Sequence, residues 1–168
     1  MDQRQAKAHF LEIYDTYADS IYRFCSAKTS SGEVAEDLTQ EVFMRFWQSV
    51  REGEKAENER AFLYRIARNL IIDWYRKKKT QSLDALSEAG YDFAGTGYED
   101  LKRTSEAREA LAVVARLDEA SREVIMMRFV EGLPPGDIAV VLGESANAVS
   151  VRINRAVKKL RELLHTHE

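Results

Sequence analysis

The sequence predicts an all-α protein of two small helical domains joined by a flexible acidic linker, and three observations carry that reading. Apolar residues recur at helical spacing through most of the 168 residues. Both prolines stand together at 134–135, and no alternating run bounded by turn residues announces a strand. Between about Thr80 and Thr104 the period dissolves into TQSLDALSEAGYDFAGTGYEDLKRT, which carries Gly90, Gly95, Gly97 and an acidic excess.

Taken in order, residues 8–28 (AHFLEIYDTYADSIYRFCSAK) form a first amphipathic stretch, ended by the breaker Thr29-Ser-Ser-Gly32. Glu33–Val50 predict a second helix and Arg60–Lys79 a third. A short helical turn is expected within the linker around Leu83–Leu86. Helical periodicity resumes over 105–116 and Ser121–Val130. Leu133-Pro-Pro-Gly-Asp-Ile-Ala-Val-Val-Leu-Gly143 is a short helix opened by proline and stopped by glycine, and Ser145–Leu164 is a longer one. The domains therefore fall at 8–80 and 105–165, with the linker at 81–104. Each is close to the size at which a single core is marginal, so partner binding is expected to add stability.

Composition narrows the function classes. Hydrophobic residues at 45% and charged ones at 32% describe a globular, soluble chain. Its apolar runs are too short to span a bilayer, and MDQRQAKAHF lacks the apolar core of a signal peptide. The single cysteine, Cys25, excludes an intramolecular disulfide, and a cytoplasmic setting follows. His9, His165 and His167 lie near the termini, and no metal-ligand spacing, nucleophile motif or Gly-rich phosphate loop occurs. An enzyme, a metal and a cofactor are all unexpected.

Charge distribution points to nucleic acid. The net charge is −3, yet no acidic residue falls between Glu144 and Glu162, a segment holding Arg152, Arg155, Lys158, Lys159 and Arg161. At helical spacing Val149, Ile153, Ala156, Val157, Leu160 and Leu164 share the buried side, while Asn147, Val151, Asn154, Arg155 and Lys158 fall opposite. A short helix, a tight turn and a basic helix make a helix-turn-helix, whose second helix enters the DNA major groove. An outward Val151 suits a thymine methyl, and Asn and Arg suit adenine and guanine edges. The alternative is an ordinary solvated basic surface. The acidic balance, with eight acidic against four basic side chains over residues 31–60, predicts poor duplex binding by the chain alone.

Two further helices divide into contrasting faces. In the third, Leu63, Ile66, Ala67, Leu70 and Trp74 form a core stripe, with Arg65, Arg68, Ile72, Tyr75, Arg76 and Lys79 opposite and Phe62, Asn69 and Asp73 on a flank. Rings among cations suit single-stranded nucleic acid, although Phe62, Tyr64 and Tyr75 also fit as packing aromatics. In the second, Leu38, Val42 and Phe46 or Phe43 face the core, leaving Asp37, Gln40, Glu41 and Met44 to solvent. That acidic, partly apolar surface suits a protein partner, or is simply a solvated helix face.

Ala35-Glu-Asp-Leu-Thr-Gln-Glu-Val-Phe43 followed by Trp47, then Phe62-Leu-Tyr-Arg-Ile-Ala-Arg-Asn69 with Asp73 and Arg76, then Ser121-Arg-Glu-Val-Ile125 with Arg128, then the terminal helix-turn-helix, together resemble extracytoplasmic-function sigma factors of bacterial RNA polymerase. The resemblance implies a region 2-like domain that binds core polymerase and the minus-ten element, and a region 4-like domain that reads the minus-thirty-five element. It assigns Asp37, Gln40, Glu41, Phe43 and Trp47 to docking on the clamp helices of the largest subunit, and adds the flap of the second-largest subunit as a partner. The loop Arg51–Arg60 and the next helix are implied to grip flipped bases of the single-stranded non-template strand. Phe62, Arg65, Arg68, Asn69, Tyr75, Arg76, Lys77 and Lys79 are the minus-ten candidates. Asn147, Ser150, Val151, Arg152, Asn154, Arg155 and Lys158 are the minus-thirty-five candidates. An anti-sigma factor is implied as a further partner.

The chain departs from the family pattern where Pro134 replaces a Ser or Thr cap, Asp137 a glutamate, Asp118 a proline and Val151 a polar residue. A free-standing helix-turn-helix regulator is the competing function, and it leaves the Asp37–Phe43 surface without a use. An enzyme is the remaining alternative, with no constellation to support it.

Overall fold

The computed structural model of the chain describes residues 1–81 and 98–166. The turn expected around Leu83–Leu86 and most of the linker lie outside the described residues. Within them, all regular structure is helical.

The first domain is three long helices, α1 (Gln3–Thr29), α2 (Gly32–Arg51) and α3 (Glu59–Gln81). Each starts where a side chain satisfies the first free backbone donors. Asp2 and Gln5 exchange hydrogen bonds of 2.8 and 3.0 Å in a capping box at α1. Ser31 accepts from Val34 N at α2, and Asn58 accepts from Ala61 N at α3. Between α1 and α2 the chain turns within Ser30, which takes φ 58° in the left-handed region. The three helices close on Ile21, Phe24, Cys25, Val42, Phe46, Leu63, Ala67 and Ile71, all buried.

The second domain consists of α4 (Ser105–Val114), α5 (Glu119–Ile125), α6 (Pro135–Leu142) and α7 (Ala146–His165). Pro135 opens α6 at a position where its missing N–H is harmless, and Pro134 contributes no side-chain cap. Gly143 ends α6 at φ 67°, a left-handed cap that a side chain would strain. Two residues later Ser145 accepts from Ala148 N and starts α7, which crosses α5 and α6 over Val124, Ile138, Val141, Val149, Ile153 and Ala156. The helix-turn-helix is thus built as its turn chemistry dictates.

Between α5 and α6 the helix widens into a π turn over Met126–Val130, closed by Glu131 N donating to Met126 O at 3.0 Å. In an α-helix, residues eight apart sit roughly 80° apart around the axis. The wider turn takes up that offset. Glu123 and Glu131 consequently both face the first domain.

The two domains are in contact. Helix α3 lies against α6, and one apolar cluster runs from Ile21 and Phe24 through Tyr64 to Met127, Leu133 and Ile138. The end of the stretch read as linker also has structure: Tyr98 is buried in this junction, followed by a 3-10 helix over Glu99–Arg103. Each small core gains its missing cover from the other.

Ile138 is completely buried and Val140, two residues on, is 43% exposed. Ile138→Ala should lower unfolding stability by about 2–5 kcal/mol in urea titration, while Val140→Ala should stay within about 0.5 kcal/mol. Equal effects would contradict this packing.

Candidate nucleic-acid interface

On α7 the polar row is outward as its spacing predicts. Asn147, Asn154, Arg155 and Lys158 are exposed, and Val151 stands among them at 39% exposure. Ser150 is half-buried. Arg152 is half-buried and turned along the turn: its Nη2 lies 2.9 and 2.8 Å from the two oxygens of Glu144. Lys159 is held at 2.9 Å by Asp118, which also caps α5. Hydrogen bonds from Lys159 and then Ser121 keep the Asp118 carboxyl far below the usual carboxylate range. The helix cations therefore divide. Arg152 and Lys159 are oriented by acids, whereas Arg155 and Lys158 have no ion pair among the described residues. A cleft of about 410 Å³ beside the row is lined by Asp118, Ser121, Ala148, Val151, Arg155 and Lys159. Leu164, expected in the buried stripe, is exposed near the end of the helix.

On α2 Asp37 and Gln40 are exposed, Met44 is 59% exposed, and Glu41 pairs with Arg45 at 3.0 Å. Phe43 corrects the docking set. Its ring is only 3% exposed, packed edge-on against Phe10 and Tyr14 at 6.4 and 4.8 Å between centroids. Both Phe43 and Phe46 are core residues, so the ring is not offered to a partner. Trp47 is half-buried beside Phe10, 5.3 Å away.

On α3 Arg65, Asn69, Arg76, Lys77 and Lys79 are exposed. Phe62 is half-buried against Phe46. Tyr64 and Ile71 are buried in the core, while Trp74, expected there, lies half-exposed with Tyr75 on one side and Lys78 5.0 Å over its ring. Two of the strand-contact candidates are engaged within the protein. Tyr75 donates its hydroxyl to the Lys28 carbonyl, and Arg68 is paired across the junction. The loop before α3 borders a cavity of about 320 Å³ lined by His9, Phe46, Ser49, Glu54, Lys55 and Glu59, with His9 Nε2 2.6 Å from Glu59.

No sequence pattern marks the polar centre of the junction. Arg68 Nε and Nη2 donate to Glu123 Oε1 and Oε2 at 2.6 and 3.3 Å, and Lys28 Nζ reaches Oε1 at 3.3 Å. Burial alone would raise the Glu123 carboxyl, but Lys28 and Arg68 offset it and hold the group below its usual value. Burial likewise lowers the Lys28 ammonium, which shares its acid with Arg68. Glu131 accepts from Tyr64 Oη at 2.6 Å, Tyr98 Oη at 2.9 Å and Arg23 Nη2 at 3.4 Å, and its carbonyl accepts from Arg60. Burial and this carboxylate push the Tyr64 phenol well above its ordinary range, so it remains a donor. Seen singly, Glu123 is a helix acid and Glu131 the residue that ends one; their distant partners give no local signal.

Among the described residues no group of His, Cys, Asp and Glu is arranged to hold a metal ion, and no helix is long and apolar enough to cross a membrane. Cys25 is fully buried, and loss of water pushes its thiol up to about 12. Iodoacetamide at pH 8 should label Cys25 only after unfolding; rapid labelling of the native chain would contradict this burial.

Comparison with known proteins matches two family models, sigma-70 region 2 over residues 13–81 and sigma-70 region 4 over residues 107–160. The ECF RNA polymerase sigma factor SigX of Bacillus subtilis is 30% identical over 159 residues, covering 91% of this chain and 82% of that protein. SigW of the same organism is 30% identical over 167 residues, covering 92% and 88%. Among solved structures, RpoE of Bartonella quintana, crystallised with the anti-sigma factor NepR, shares the fold with a TM-score of 0.68 at 23% identity, over 95% of this chain and 99% of that one.

Proposed function

The chain belongs to the extracytoplasmic-function sigma factors of RNA polymerase, and on that premise we propose how its surfaces divide the work of promoter recognition. The domain over residues 8–80 docks on the clamp helices of the core enzyme through Asp37, Gln40 and Glu41, with Trp47 at the edge of the contact. The same domain takes the non-template strand of the minus-ten element along α3. Asn69 and Arg65 stand ready for it, Phe62 supplies a ring, and Arg76, Lys77 and Lys79 follow the phosphates. Arg68 joins once the second domain moves away, while Tyr75 stays tied to the Lys28 carbonyl within the first domain. Strand stacking is worth about 1–3 kcal/mol per base, enough to offset the few kcal/mol that unstacking costs.

The domain over residues 105–165 reads the minus-thirty-five duplex with α7. The observation that carries the proposal is the exposed row Asn147, Val151, Asn154, Arg155 and Lys158 on a capped recognition helix. Arg152, steered by Glu144, and Ser150 flank that row and suit backbone contacts. The flap of the second-largest subunit supports this domain on the polymerase, and the protein acts in the cytoplasm. Bartonella RpoE is held by an anti-sigma factor, and a partner of that class fits this chain's regulation.

Two substitutions separate the surfaces. Arg155→Ala should weaken promoter-dependent transcription by about 1–3 kcal/mol with unchanged co-purification on core polymerase; full promoter strength would remove the base-reading role. Asp37→Ala with Gln40→Ala should instead reduce retention on core polymerase, and undiminished retention would dissolve the docking assignment.

A further inference from the structure

Beyond promoter reading, the junction between the domains places an acid of one domain on cations of the other. We propose that Lys28 and Arg68 form a phosphate-binding site for the single strand, and that Glu123 occupies this site in the closed chain as an internal stand-in for phosphate. The inference rests on the sigma reading of the α3 surface.

The geometry is that of anion recognition. Arg68 addresses Glu123 with two nitrogens, at 2.6 and 3.3 Å, a fork that fits phosphate oxygens as well as carboxylate. Lys28 adds a second, almost desolvated cation at 3.3 Å. A cleft of about 260 Å³ adjoins the pair, and its wall runs along α3 through Ile72 and Tyr75 to Arg76 and Lys79. Arg68, Ile72, Arg76 and Lys79 follow one another at helical spacing on one side of α3. At ~1.5 Å rise per residue the row spans about 16 Å, room for more than one phosphate. Lys28 lies on α1, outside the basic row of α3, and no pattern in the sequence singles it out.

The consequence is competition within one molecule. Glu123 sits on α5, so the site can accept a strand only when the second domain leaves. Opening and strand binding are then coupled, and whatever holds the domains apart raises strand affinity by the same factor. Core polymerase, by docking the two domains at separate places, would supply that separation.

The test uses the full chain without polymerase and a fluorescein-labelled single-stranded oligonucleotide of roughly 15 nucleotides. Glu123→Gln should tighten binding by about fivefold or more and expand the chain in small-angle scattering. Adding Lys28→Gln to that variant should remove the gain. Unchanged affinity in an expanded Glu123→Gln chain, or a gain that survives Lys28→Gln, would overturn the proposal. The unaltered chain gives a second reading that needs no variant to fold: scattering should show expansion in proportion to bound strand. Binding without expansion also overturns it. Run-off transcription by the unaltered chain with core polymerase reports on the sigma reading separately, since its failure leaves these affinities and dimensions interpretable.

Discussion

Glu123 and Glu131 are carboxylates withdrawn from water between two domains, and the arrangement of the rest of the chain follows from how they are satisfied. Taking a carboxylate out of water costs several kcal/mol, which an ion pair recovers only with good geometry and further hydrogen bonds. Glu123 has two cations, and Glu131 has two phenols and a guanidinium. The π turn of Met126–Val130 brings both acids to the same side. Replacing such a buried ion pair by apolar contacts is often neutral or stabilising, so the pair is not what firmness alone requires. The junction's polar groups regain hydration when the domains part, which suits the opening proposed for this contact.

That arrangement places the functional surfaces unequally. The exposed row on α7 and the acidic row on α2 stay open to solvent, whereas Arg68 and Tyr75, part of the α3 surface, are engaged at or near the junction. Glu123 thus covers Arg68 and Lys28 but leaves the α7 row uncovered. Orientation recurs on α7, where Glu144 and Asp118 set two cations and leave Arg155 and Lys158 without an ion pair among the described residues. Asp118, which replaces a family proline, both caps α5 and fixes Lys159.

The helices were legible because their signals are local. Apolar spacing, with proline as opener and Gly143 as stop, defines α6 and α7 almost to the residue. The exposed row from Asn147 to Lys158 followed from the same spacing. Phe43 did not, because α2 presents two adjacent aromatic positions and helical spacing cannot tell which the Phe10 and Tyr14 rings cover. Trp74 leaves the core for a similar reason: the third helix has neighbours on two sides, and Tyr64, which fits as a packing aromatic, is drawn inward through its hydroxyl by Glu131. The junction was invisible, since Lys28 and Glu123 are 95 residues apart and only folding brings them together.

The central claim is that the chain gives core polymerase its choice of promoter. Run-off transcription over a library of genomic fragments, with core polymerase alone and with the chain added, measures this directly. The account predicts discrete new start sites, each downstream of a shared two-part sequence, only when the chain is present. Identical start sites with and without a chain that demonstrably joins the polymerase would contradict it.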